Sequence, residues 1–425
     1  MDQLGYNRTL IIILVTILFF ISFESRADQD FQADTTIVIE YPERISSKTS
    51  WEKVVSLPGT IINIPFAVLL KTVDFAMGVD FEAPFIVRLV DPLMADDGNR
   101  GLIPKYSSRA GVGLKFYQKS LFNEGSKFDI SATGGRNRLQ RYRFRIRNLE
   151  IGQLTSGMIV QYMLMPTESF YGIGMDSEKD DKTIFAWGQA KVEIVLGRKI
   201  ANKISFNLLF NFERNNIFSG KDDSYLSTID VYDSALPGLE TGIEILSTGI
   251  ELDYNSTNNH GRPTSGWVFN VKGTYSEQTN DDKYGFYKSS VDITRYIHLF
   301  YGRTIAMRLS GGRVEPSSDK DIPFYYQSEL GKSETIRGFS RGRFIDRDFM
   351  LGSIEYRYPL MPNYLDAFLF SDFGRVSADI FDDLSADKFQ VTFGGGIYIW
   401  DDDEIKLRMQ LGKSKEQLRF YFSLN

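Results

Sequence analysis

Along most of the chain, apolar and polar residues alternate one for one. In Ile204 to Glu213, "ISFNLLFNFE", the even positions Ile204, Phe206, Leu208, Phe210 and Phe212 are apolar, while Ser205, Asn207, Asn211 and Glu213 are polar. Successive side chains of a strand point to opposite faces, so a period of two predicts a strand with one greasy and one wet face. The same alternation sets Trp267, Phe269, Val271 and Tyr275 against Asn270, Lys272 and Thr274. It returns in Ile405, Leu407, Met409 and Leu411 against Lys406, Arg408 and Gln410, and in Leu418, Phe420, Phe422 and Leu424 against Arg419, Tyr421 and Ser423. Many strands with this dyad repeat are the sequence form of a transmembrane β-barrel. A soluble β-sandwich or lipocalin-like barrel alternates too, but puts core residues on its inner face. Here the apolar face is heavily aromatic and the opposite face carries Lys, Arg and Glu, which points to lipid outside and water within.

Fifteen segments fit the pattern: 109–118, 127–135, 140–150, 157–168, 183–198, 202–213, 242–254, 266–277, 285–296, 302–312, 349–358, 364–373, 388–400, 404–412 and 416–425. Single-chain bacterial barrels have even strand numbers. With the short connections Gly197–Lys203 and Leu299–Arg303 at the periplasmic end and the long ones, Asn215–Glu240 and Glu315–Arg347, outside, segment 302–312 must be an odd-numbered strand. The sixteenth strand then lies before it, most simply in "RGLIPKYSS", Arg100 to Ser108. The expected fold is all-β, a sixteen-stranded antiparallel transmembrane barrel over residues 100–425.

Residues 28–99 do not alternate. The apolar stretch from Trp51 to Val79 is broken by Pro58-Gly59, Pro65, Lys71 and Asp74, which predicts one or two short helices at the periplasmic interface or a segment packed before the barrel. The length leaves little room for a separate periplasmic domain.

Composition fits the barrel. Aromatics make up 14%, with 33 Phe and 22 Tyr, beside 24% charged residues and a mean hydropathy of −0.22. At the N-terminus Arg8 precedes an apolar run from Leu10 to Phe23, and Ser25-Arg26-Ala27 offers a small-x-small site, so residues 1–27 read as a secretory signal peptide; a retained anchor is the alternative. Either form exports the chain, and the expected location is the bacterial outer membrane. The chain has no Cys, which removes disulfides and thiol chemistry. A net charge of −6 gives no basic footprint for nucleic acid.

Catalytic options are thin. The two histidines, His260 and His298, stand far apart without a metal-binding pattern. Gly331-Lys332-Ser333 resembles the end of a phosphate-binding loop, but Tyr326 stands where its first glycine belongs. No enzyme activity, cofactor or metal is expected. In "FGGGIYIW", Phe393 to Trp400, three glycines in one strand predict a bend or the close approach of another segment, and Trp400 beside the acidic run Asp401 to Glu404 reads as an interfacial anchor.

The most specific signal lies in "LGKSETIRGFSRGRFIDRD", Leu330 to Asp348, a charged and glycine-rich stretch between strands. In "GSIEYRYPL", Gly352, Ile354, Tyr356 and Tyr358 form the apolar face and send Ser353, Glu355 and Arg357 inward. In "FLFSDFGRV", Asp372 shares a face with Phe368, Phe370 and Gly374; a carboxylate against lipid is costly, so that face turns inward as well. An arginine carried inward by the loop could meet both carboxylates with its planar fork, while Gly338 permits a tight tip and Phe339 wedges against the wall. A mobile loop of solvated charges is the bland alternative.

The trio "IRGF", "GSIEYR" and "FxDxG" (Phe370, Asp372, Gly374) resembles the BamA/TamA-type bacterial surface antigen family of outer-membrane assembly and translocation barrels. "FYGIG", Phe170 to Gly174, and "GIELDYNSTNNHGRPTSGW", Gly249 to Trp267, extend the resemblance over residues 100–425. It implies that Arg337 tethers the loop to Glu355 and Asp372, with Gly338 and Phe339 at the tip and Gly352 in the barrel motif. It implies protein insertion or translocation, with client outer-membrane or secreted proteins as partners beside the outer-membrane lipids. The chain departs from the family in lacking evident periplasmic docking domains, which leaves a role for a separate periplasmic partner. It also ends in Asn425 rather than an aromatic, although Phe420 and Phe422 sit in phase in the terminal strand. A plugged pore or structural surface antigen without insertase activity is the competing expectation.

Overall fold

A computed structural model describes residues 98–107, 111–220, 222, 224–361, 363–382, 385–401 and 404–424. The signal peptide, 1–27, and the pre-barrel segment, 28–99 apart from its last two residues, lie outside the described residues. In chain order the strands are β1 (Arg100–Ser107), β2 (Gly111–Lys119), β3 (Lys127–Gly134), β4 (Gln140–Ile151), β5 (Leu154–Phe170), β6 (Thr183–Ala201), β7 (Ile204–Ser219), β8 (Thr241–Asn255) and β9 (Gly266–Gln278). They continue as β10 (Gly285–His298), β11 (Thr304–Pro316), β12 (Ser328–Leu330), β13 (Phe344–Asp346), β14 (Asp348–Met361), β15 (Leu365–Ser377), β16 (Gln390–Asp401), β17 (Glu404–Lys413) and β18 (Leu418–Leu424).

Sixteen of these close into one antiparallel barrel in which β11 pairs directly with β14; β12 and β13 form a separate two-stranded ribbon. Closure comes from β1 against β18, which register only at Tyr106↔Leu424 and Ser107↔Ser423 among the described residues. By contrast β10 and β11 pair without interruption from Phe286↔Pro316 to His298↔Thr304. The sixteen-strand expectation holds, including a first strand from Arg100. Several strands are longer than the period suggested. β6 runs on to Ala201 and β7 to Ser219, because polar residues such as Lys199, Asn215 and Asn216 continue the ladder without continuing the apolar stripe.

The faces sort as the alternation demands. On β7, Leu208, Phe210 and Phe212 are exposed to the outside while Glu213 and Asn215 are buried inside. On β4, Tyr142 faces out, and the next inward positions, Arg143 and Arg145, bond Gln161 and Asp129 across neighbouring strands. Trp400 is a correction. Trp400 shares the inward face of β16 with Tyr398, two residues before it, so the indole is 2% exposed among Phe368, Phe370 and Tyr398 instead of standing at the interface. The Arg262 guanidinium lies 5.2 Å from its ring centroid.

The connection between β11 and β14 does not stay outside the wall. Its first part buries Phe324 in a cluster with Phe170, Phe185, Ile217, Leu236 and Ile345, under a short helix α1 (Thr228–Tyr232) of the β7–β8 connection. The ribbon then carries the loop 331–343 across the barrel interior.

Candidate functional site

The registers of β14 and β15 set the floor of the site. Ser353 faces Asp372 and Glu355 faces Phe370, so one serine, two carboxylates and a ring share an inward patch on adjacent strands. Arg337, at the loop tip, reaches this patch. Its Nε donates to Asp372 Oδ2 at 2.7 Å, its Nη2 to Asp372 Oδ1 at 2.6 Å, and its main-chain N–H to Oδ2 at 3.1 Å. Ser353 Oγ donates to Oδ1 at 2.6 Å, which fills the four acceptor positions of that carboxylate. Arg337 Nη1 donates to Glu355 Oε2 at 3.0 Å, and the other Glu355 oxygen accepts from Arg357 Nε at 2.6 Å and from Tyr398 Oη at 3.0 Å. Two arginines and two carboxylates thus form a balanced quartet.

Burial makes that balance matter. Arg337, Glu355 and Asp372 are 4%, 6% and 0% exposed. Desolvated ions are tolerated only when paired and hydrogen-bonded, and losing one partner of such a set costs ~3–5 kcal/mol. The guanidinium also lies over Phe370, 3.4 Å from the ring centroid. Phe370 in turn covers Gly394, where a Cβ would come within 2.6 Å of the ring. The close approach expected at "FGGGIYIW" is therefore made by rings of β15: Phe370 over Gly394 and Phe368 over Gly396.

The tip itself rests on the last hairpin. Gly338 adopts φ +98°, and a Cβ there would stand 2.9 Å from Ser414 N; a Cβ on Gly412 would stand 2.8 Å from Gly338 N. Such contact between two backbones admits only glycine on both sides. Gly338 N–H donates to Tyr421 Oη at 2.9 Å, and Ser414 Oγ donates to Gly338 O at 2.9 Å. Phe339 packs its ring on Phe344 of the ribbon, centroids 5.0 Å apart, in a cluster with Leu330, Ile336, Leu351 and Val376. The wedge is a shared core of loop and wall. Gly374 belongs to the same surface, within reach of Ile336 and Leu330, whereas Gly352 faces outward beneath the Phe373 ring. Phe420 is exposed on the outer face, and Phe422 lies 5.4 Å from the Tyr106 ring across the closure.

A second arginine has no counterpart in the sequence expectations. Arg343, 3% exposed, donates from Nε to Glu416 at 2.9 Å, from Nη1 to Ser177 Oγ at 2.8 Å and from Nη2 to Ser177 O at 2.8 Å. It links the β17–β18 turn to the β5–β6 connection. The only advance signal is the density of arginines in the loop; nothing local names Glu416 or Ser177 as partners.

His260 and His298 belong to no cluster, and the described residues contain no group of His, Cys, Asp and Glu that could hold a metal.

Residues 120–424 match the Omp85 superfamily domain. No curated protein sequence matches the chain. Among solved structures it is similar to BamA from Haemophilus ducreyi lacking POTRA domains 1-3, at 13% identity and a TM-score of 0.53, over 76% of this chain and 69% of that one. It is also similar to CdiB from Escherichia coli, at 10% identity and a TM-score of 0.50, over 76% of this chain and 62% of that one, less than two thirds of CdiB's length. At these identities the likeness is one of fold. The domain match covers most of the chain, and the protein therefore belongs to the Omp85 superfamily of BamA/TamA/CdiB-type barrels.

Proposed function

We propose that this barrel sits in the bacterial outer membrane and inserts or translocates client proteins there, using the β18 edge at the closure as its working surface. The carrying observation is the two-pair register of β1 with β18. It leaves Leu418–Phe422 of β18 without a strand partner on that side among the described residues. An unpaired edge is a template for strand addition. The loop held by Arg337, Glu355 and Asp372 is proposed to lock the lumen and brace the last hairpin while the edge works. The clients are proposed to be outer-membrane or secreted proteins.

The test combines depletion with closure. Depletion should lower the outer-membrane content of particular proteins. Cysteines placed at Ser107 and Ser423, which face one another in register, should block that activity when oxidised and restore it on reduction. If depletion changes only permeability to small solutes, the second reading holds: a pore plugged by its own loop. That reading is favoured by the burial of Ile336, Arg337 and Phe339 against β14, β15 and the last hairpin.

A further inference from the structure

The connection between β8 and β9, residues 256–265, lies at the short-turn end of the barrel, where Asn255 N–H donates to Lys203 O beside the β6–β7 turn. It is an arch stiffened by its own side chains. Asn258 Nδ2 donates to Thr264 Oγ1 at 2.8 Å, and Asn258 Oδ1 accepts from the main-chain N–H groups of Thr264 and Ser265, both at 3.0 Å. Asn259 Oδ1 accepts from those of Gly261 and Arg262 at 2.7 and 3.0 Å. Arg262 ties this arch to Asp366 at the start of β15, although β10, β11 and β14 separate β9 from β15 in the wall. Its Nε donates to Asp366 Oδ2 at 3.1 Å and its Nη2 to Oδ1, while the guanidinium faces the Trp400 ring. The two partners stand 104 residues apart in the chain, and Asp366 is 5% exposed.

Trp400 is one end of a column of buried rings that leads to the loop. Trp400 and Tyr398 have centroids 5.7 Å apart, Tyr398 stacks on Phe368 at 4.4 Å, and Phe368 lies 6.2 Å from Phe370. Phe370 carries the Arg337 guanidinium. Tyr398 serves both ends of the column. Its ring packs toward Trp400, and its hydroxyl donates to Glu355, one of the two carboxylates that hold Arg337. Arg357, which donates to the same Glu355 oxygen, lies 5.5 Å from the Tyr398 ring. Close-packed interiors transmit strain, so a displacement at Trp400 reaches a donor on which Glu355 depends.

We propose that the β8–β9 arch controls the loop from the opposite end of the barrel. Releasing Arg262 from Asp366 loosens the hold on Arg337, and releasing Arg337 loosens the arch. Coupling between two sites is reciprocal, so each release changes the other by the same factor. Arg262 is the accessible member of its tie, with 20% of its side-chain surface exposed against 7% for Asp366. It is therefore the point open to a group arriving at the short-turn mouth. The inference concerns the wall and the loop, and it holds whether the barrel moves clients or stands as a plugged pore.

Limited proteolysis within 331–343 and hydrogen exchange within 256–265, both on the full-length protein in nanodiscs, read the two ends. Loop cleavage in Arg262→Ala should rise by at least roughly fivefold, the lower range of coupling between sites. Exchange in the arch should rise by a similar factor in Arg337→Ala. In R262A/R337A, cleavage should fall short of the product of the two single effects, because a loop already released has no lock left to lose. Asp366→Asn breaks the tie from its other side and should match Arg262→Ala. Loop cleavage in a folded Arg262→Ala equal to that of the unsubstituted protein overturns the proposal, as does a double variant in which the single effects simply multiply. If both tie variants fail to fold, Arg337→Ala decides alone: unchanged exchange within 256–265 overturns the proposal.

Discussion

The Arg337 guanidinium meets the Asp372 carboxylate side-on, with Nε 2.7 Å from Oδ2 and Nη2 2.6 Å from Oδ1. No other side chain could occupy that position equivalently. Lysine offers a point charge in place of a fork, and a neutral residue leaves two buried carboxylates with one cation, Arg357, between them.

Arg337→Ala should therefore destabilise the lodged loop by ~3–5 kcal/mol, and Arg337→Lys should recover only part of that loss. Limited proteolysis of the purified barrel reads it directly. Cleavage within 331–343 should rise steeply in the alanine variant, and cleavage equal to the unsubstituted protein would show that the quartet does not hold the loop. Asp372→Asn and Glu355→Gln should act in the same direction.

Gly338→Ala tests the tip independently of charge. The φ of +98° and the 2.9 Å approach to Ser414 N both resist a Cβ, so the tip should lift from β17 while the Arg337 pairing is chemically untouched. Hydrogen exchange should speed up in peptides covering Ser414–Gln417 and remain near normal in those covering β14. Unchanged exchange at Ser414–Gln417 would mean that the tip is not a fastening point.

Arg343→Ala should free the β17–β18 turn from the β5–β6 connection. Because the chain has no Cys, spin labels can be attached at Lys179 and Lys415 without background. Their distance distribution should broaden and lengthen in the variant. A distribution identical to the unsubstituted one would remove the rim tie.

Gly394→Val tests how the floor of the site is packed. A Cβ at this position would lie 2.6 Å from Phe370, the ring on which Arg337 rests. Overpacking of this kind costs about 1–3 kcal/mol. The barrel should unfold at lower temperature in heat-dependent gel mobility, and loop proteolysis should rise with it.

The barrel was legible because a period of two needs no long-range information: each strand announces its faces by itself. Even Arg100–Ser107, only 8 residues long, could be located by strand parity. The inward row of Ser353, Glu355 and Arg357 follows from the same alternation. Trp400 was misread although its alternation with Tyr398 already puts both rings on the inner face; the neighbouring acidic run suggested an interfacial position instead. The ribbon of β12 and β13 was also invisible, since three residues on each side carry no measurable period. Arg343 with Glu416, and Gly338 with Tyr421, lie 73 and 83 residues apart, so closure alone brings them together.

That last pair bears on the order in which the chain matures. Tyr421 and Ser414 spend their hydroxyl groups on the main chain of the loop tip, so the final hairpin acquires its native bonds only once the tip is inside. The pairing of β1 with β18 joins the first and last strands of the barrel and is the costliest contact to form by chance encounter. Contact order therefore favours an interior completed before the perimeter, with the seam between β1 and β18 the last pairing to form.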